Sequence, residues 1–149
     1  MTVSSIINKN GRAVANQFVI TEFSSDNAIV TGCDFINNHA DSHGGALTVC
    51  GLNNIISDCS FVSNIAGPPF GSMASYGGAI CFDEDANGSV DNCNFVNNSA
   101  ICYSSRSTSG GAIFGYNDIS VTDCTFKDNY AKSGGAIDLS YNSTISNCN

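Results

Sequence analysis

Charge is what this sequence has least of. Of its 149 residues, 12% are Asp, Glu, Lys or Arg, about half the share usual in globular domains. Five are Lys or Arg (Lys9, Arg12, Arg106, Lys127 and Lys132) against thirteen Asp and Glu, a formal net charge of −8. So few cations exclude a nucleic-acid partner, which needs a basic face against phosphate, and disfavour docking on anionic lipid. Tryptophan is absent, and the two prolines are adjacent, Pro68 and Pro69, which excludes a proline-rich or collagen-like chain. No apolar run approaches the ~20 residues of a spanning helix, so this segment is not expected to insert in a membrane. Residues 1–7 have neither a basic start nor a long apolar middle, so no signal peptide is read there. Intrinsic disorder is excluded as well, because 42% of the residues are hydrophobic and they recur regularly.

In place of charge the chain has 19 Asn, 21 Ser and 15 Gly. It also has an internal repeat. Residues 33–40, 59–66, 93–100 and 124–131 all read C-x-F-x-x-N-x-A. They align Cys33, Cys59, Cys93 and Cys124, then Phe35, Phe61, Phe95 and Phe126, then Asn38, Asn64, Asn98 and Asn129. A fifth copy opens at Cys148. Each complete copy is followed by Gly-Gly-Ala-Ile or Gly-Gly-Ala-Leu, beginning at Gly44, Gly77, Gly110 and Gly134. Cysteine-to-cysteine steps are 26, 34, 31 and 24 residues. The variation lies in the link between Ala and Gly-Gly: three residues (41–43), ten (67–76), nine (101–109) and two (132–133).

A unit this short, rich in β-branched residues and broken by Gly and Asn, reads as strands of about four or five residues. Val30, Ile56, Val90, Val121 and Ile145 each precede a cysteine by three, and Phe follows two after it in the complete copies. Two or three short strands cannot bury their own apolar face and must stack on neighbouring copies, which turns each repeat position into a column. The expected fold is all-β, a right-handed parallel β-helix with one coil per 24–34 residues and five to six coils. A propeller is the weaker alternative, since its blades need about 40 residues. Residues 27–149 hold the repeats, and residues 1–26 read as a degenerate coil or N-terminal cap. The incomplete last copy reads as a fragment of a longer chain. Phe should fill the core, and Asn should suit a turn, tolerating left-handed backbone and bonding along the stack. Gly-Gly should allow a corner or a close backbone approach.

These paired motifs, Gly-Gly-Ala-Ile/Leu and Phe-x-x-Asn, resemble the repeats of the chlamydial polymorphic outer membrane proteins. With Asn-x-Ala after the Phe they are also similar to adhesin-like surface proteins of methanogenic archaea. The resemblance covers residues 27–149. It implies an extracellular, cell-surface β-helical stalk or passenger with an adhesive role.

Several constellations bear on chemistry. Cys33, Cys59, Cys93, Cys124 and Cys148 form one column; neighbours at about 4.8 Å suit thiols packed as small hydrophobes, with some disulfide pairing as the alternative. Asp83, Asp85, Asn87 and Asp91, with Gly88 at the sixth position, match the front of a calcium loop, but the twelfth position is Asn94 rather than Glu. The competing reading is a solvated acidic turn, with no cofactor. His39, Asp41 and His43 form either a metal trio or a polar loop. Asn87, Asn97 and Asn142 begin glycosylation sequons.

The long links offer Phe70, Met73, Tyr76, Tyr103 and Arg106, residue types frequent at binding hot spots. Insertions in solenoids gather on one face, often the binding face. The expected function is therefore an adhesin-like module whose protruding loops contact a host or neighbouring-cell protein or glycan. A purely structural spacer or filament subunit, self-associating end to end, is the first alternative. A polysaccharide lyase or glycoside hydrolase, for which Asp138 with Asp118 or Asp123 would supply paired acids, is the second.

Overall fold

The computed structural model describes residues 6–7, 20–23, 26–68 and 73–149. Among these, all regular structure is short β-strand, every pairing is parallel, and no helix is long and apolar enough to cross a membrane. The chain winds as a parallel β-helix. One face stacks Ile6–Ile7, Ile29–Thr31, Asn54–Ser57, Gly88–Asp91, Ile119–Thr122 and Thr144–Ser146. A second stacks Asp34–Ile36, Ser60–Val62, Asn94–Val96 and Thr125–Lys127; a third stacks His39–Ala40, Ile65–Ala66 and Ser99–Ala100. The face after Gly-Gly-Ala stacks Ile20–Phe23, Leu47–Val49, Ile80–Phe82, Ile113–Gly115 and Ile137–Leu139.

The register follows the repeat residue for residue. Val30, Ile56, Val90, Val121 and Ile145 pair in sequence, as do Phe35, Phe61, Phe95 and Phe126. Alternation along each strand sends these side chains inward. The four Phe rings stack nearly parallel, with centroids 4.8, 4.8 and 4.9 Å apart and interplanar angles of 4°, 4° and 2°. Phe61 and Phe95 are wholly buried, and burial of each such ring contributes about 1.5–3 kcal/mol. Cys33, Cys59, Cys93 and Cys124 are buried beside them, and all eight cysteines are free thiols.

The corners have their own columns. Gly32, Asp58, Asn92, Asp123 and Asn147 all have φ between 49° and 64°. Between the second and third faces the left-handed residues are Asn37, Ser63, Asn97 and Asp128, with φ of 54°–56°. The repeated Asn bonds along the stack as expected, but it is not the left-handed residue of the turn. The left-handed conformation falls one residue earlier, because Asn38, Asn64, Asn98 and Asn129 must aim their amides inward. Asn38 Nδ2 donates to Asn64 Oδ1 at 2.8 Å, Asn64 Nδ2 to Asn98 Oδ1 at 2.9 Å and Asn98 Nδ2 to Asn129 Oδ1 at 3.0 Å. The two glycines of each pair have different tasks. The first turns the corner, with φ of 58°, 64°, 65° and 52° at Gly44, Gly77, Gly110 and Gly134. The second allows a close approach: a Cβ on Gly78 would collide with the Gly111 carbonyl oxygen of the next coil.

Of residues 1–26, Ile6–Ile7 pairs with Val30 and Thr31, and Ile20–Phe23 pairs irregularly with Leu47 and Val49. The assignment of 1–26 to a degenerate coil or cap otherwise falls on residues outside those described.

Candidate functional site

The repeat is interrupted at one corner, and there the two long links lie side by side. Both leave the third face after its Ala, at Ala66 and Ala100. Gly67 fits this departure because its backbone touches the next coil: a Cβ there would strike the Ile101 carbonyl oxygen. Gly67 N–H donates to Ala40 O at 2.8 Å, Ile101 N–H donates to Ala66 O at 2.8 Å, and His39 Nε2 lies 2.6 Å from Gly67 O. The links return as Ser75–Tyr76 and Thr108–Ser109, which pair with each other as an extra parallel two-stranded sheet.

Tyr76 is half-buried in a ladder of rings. It stacks on His43 at 4.9 Å and on Phe114 at 4.6 Å, and Tyr116 meets Phe114 edge-on at 5.0 Å. Its ring helps pack the link on the coil and stays half-exposed. His43 Nδ1 and Ser75 Oγ are buried there without a hydrogen-bond partner. Burial pushes the His43 imidazole below its ordinary pKa, against the opposing pull of Asp83. Met73 is exposed. Phe70 lies outside the described residues.

The second link arches over a hollow of about 200 Å³ lined by Ala100, Ile101, Cys102, Tyr103, Thr108, Tyr130 and Lys132. Lys132 holds the arch: its Nζ donates to Ser104 O at 2.8 Å and Arg106 O at 2.9 Å, while its backbone N–H donates to Thr108 Oγ1 at 3.0 Å. Cys102 Sγ lies 3.1 Å from Ser104 Oγ. That contact, helped by the charges of Lys132 and Arg106, lowers the Cys102 pKa. Tyr103 is 71% exposed and Tyr130 59%. Tyr130 and Lys132 escaped the sequence reading because they belong to the following coil and meet the link only through stacking. The scarcity of cations was the available signal.

The other candidates lie apart from this corner. Asp83, Glu84 and Asp85 sit in an exposed turn capped by Asp83, whose carboxylate accepts from Glu84 N–H at 2.9 Å. Asn87 Oδ1 accepts from Asn53 N–H at 2.6 Å, and Asp91 accepts from the Thr122 hydroxyl one coil on. Among the described residues, no three His, Cys, Asp or Glu side chains gather as a metal site. Asp118 and Asp123 turn corners, with φ of 48° and 51°, at opposite ends of Ile119–Thr122, whereas Asp138 pairs with Phe114 on another face.

Residues 92–116 and 123–140 match the family model of the Chlamydia polymorphic membrane protein repeat. Both matched segments contain one Phe-x-x-Asn and one Gly-Gly-Ala-Ile motif, the residues that carry the resemblance. The family is one of surface-associated outer membrane proteins. No curated protein and no solved structure matches the chain.

Proposed function

We propose that this protein is a cell-surface, adhesin-like β-helical module. The stacked coils form its rigid stalk, and the links 67–76 and 101–109 form its contact surface for a partner on a neighbouring or host cell. The carrying observation is the pairing of Ser75–Tyr76 with Thr108–Ser109, which sets the two irregular segments of adjacent coils next to each other on one corner. Met73, Tyr103 and Arg106 are exposed there. The repeat family, found on surface proteins, supports the location.

The test is to shorten both links to two residues, as in the fourth copy. The shortened protein should melt cooperatively, because that copy closes its coil with residues 132–133 alone. Its binding to whole cells and to a mixed-glycan array should be lost. Full binding by the folded, shortened protein would move the contact surface onto the flat strand faces.

A further inference from the structure

The hollow under the second link is small. At about 200 Å³ it falls below the roughly 300–1,000 Å³ of sites that enclose drug-sized ligands, and suits one ring rather than a peptide segment. Its electrostatics run against the rest of the chain. The protein carries −8 overall, yet no Asp or Glu lines this hollow. Lys132 lines it, and Arg106, outside the lining, belongs to the link above, where its backbone oxygen accepts from Lys132 Nζ at 2.9 Å. Lys132 uses two donors on backbone carbonyls of the link, and an ammonium group has three. The Arg106 guanidinium, exposed at the same link, has no ion-pair partner among the described residues. Its planar fork matches a carboxylate in a bidentate fashion. Two exposed aromatic rings, Tyr103 and Tyr130, line the hollow with Lys132 and supply apolar faces with hydroxyl tips.

We infer that this hollow binds a single acidic sugar residue bearing a carboxylate, such as the terminal or side-chain uronic or sialic acid of a surface glycan. The carboxylate meets Arg106 and the free donor of Lys132, and the ring lies against Tyr103 or Tyr130 with its hydroxyls toward Thr108 and the tyrosine hydroxyls. This rests on the reading of the links as the contact surface, and narrows the partner at one of them to a glycan of stated charge.

Cys102 gives a readout independent of adhesion, because it lines the hollow and is partly exposed. Labelling of the full chain with iodoacetamide, followed at Cys102 by peptide mass spectrometry, should slow when glucuronate or N-acetylneuraminate is added, and should not slow with glucose or galactose. Isothermal titration should show the same preference for the acids. Binding should weaken with added salt, as expected for exposed charges. Arg106→Gln should weaken it about tenfold or more, the usual effect of losing a charged hydrogen-bond partner. Tyr103→Ala and Tyr130→Ala test the ring contact without touching the cations. Lys132→Met is less informative, since that side chain also holds the link.

Equal effects of acidic and neutral sugars, or no protection and no heat with any of them, would overturn the inference. So would an undiminished affinity in Arg106→Gln. Preference for a sulfated sugar over both carboxylated ones would also overturn it, in favour of a sulfate site. These outcomes are separable from failure of the functional reading. If shortening both links abolishes adhesion while no acidic sugar binds, the contact surface stands and the ligand assignment falls. If the folded, shortened protein still adheres, the contact surface itself is wrong.

Discussion

Replacing Asn98 by Leu isolates the contribution of the buried amide ladder. Leucine has the same heavy-atom branching and is bulkier, so it fills the space and excludes a rescuing water while removing every polar contact of the amide, and any overpacking only adds to the loss. Asn98 is 0% exposed. Its Oδ1 accepts from Asn64 N–H at 3.0 Å and Asn64 Nδ2 at 2.9 Å, and its Nδ2 donates to Phe61 O at 3.0 Å and Asn129 Oδ1 at 3.0 Å. The substitution leaves two buried donors on Asn64 without this acceptor, and each unsatisfied donor costs about 1–3 kcal/mol. The expected loss is therefore about 2–6 kcal/mol, a large part of the ~5–15 kcal/mol that holds a typical domain folded. Asn129→Leu should cost less, because Asn129 is only partly buried and water can reach its partners. Urea unfolding followed by circular dichroism measures both, provided the slope with denaturant is unchanged. A loss below about 0.5 kcal/mol for Asn98→Leu would mean that the apolar columns hold the coils alone, since a net-neutral ladder is the only way to lose so little.

Phe95→Ala should cost about 3–5 kcal/mol in the same assay, as large buried truncations do, and Phe126→Ala less, because Phe126 is only partly buried; equal small losses would place the Phe column outside the core. Gly78→Ala should prevent a cooperative melt, since its Cβ would overlap the Gly111 carbonyl oxygen and lie 2.5 Å from Ser99 N; a native-like melt would refute the close approach. For His43, burial lowers the folded-state pKa, so the unfolded chain takes up the proton first. Stability is then fully present above the unfolded value of about 6.5 and falls as pH drops through it. His43→Phe, which keeps the stack on Tyr76, should flatten that fall below about pH 6.5. Millimolar calcium should leave the melting temperature unchanged, because Asn87 and Asp91 are engaged by Asn53 and Thr122; a rise abolished by Asp83→Ala would establish the calcium loop.

Much of the fold was legible because the same side chain returns at the same place in every coil. Val30, Ile56, Val90, Val121 and Ile145 announce one inward column and Phe35, Phe61, Phe95 and Phe126 another, and period two along each strand then sets which residues face out. The left-handed corners were hidden for the opposite reason. Gly32, Asp58, Asn92, Asp123 and Asn147 share a backbone conformation but not an identity, since Gly, Asn and Asp all tolerate it. Two acids that looked available for catalysis, Asp118 and Asp123, are corner residues of this kind. At the candidate site, sequence placed Tyr103 and Arg106 on the link but could not place Tyr130 and Lys132 beside them. Nor could it show that Tyr76 spends its ring between His43 and Phe114, two residues brought near only by the stacking of coils.

The geometry also explains why one corner can vary while the rest of the coil repeats. Where each link ends, the backbone of the Gly-Gly pair bonds to the next coil in the same way whatever the link's length. Gly45 N–H donates to Gly77 O at 3.1 Å, Gly78 N–H to Gly110 O at 2.9 Å and Gly111 N–H to Gly134 O at 3.0 Å, across links of three, ten, nine and two residues. Lengthening a loop by a few residues adds only a modest closure entropy, about 0.6 kcal/mol per doubling. The Ala before the link and the Gly-Gly after it therefore act as fixed posts, and the chain between them is free to change in length and composition without disturbing the Phe and Asn columns inside. Under the proposed function, a coil built this way separates folding from recognition: substitutions in the columns should act on stability, and substitutions in residues 101–109 on what the corner binds.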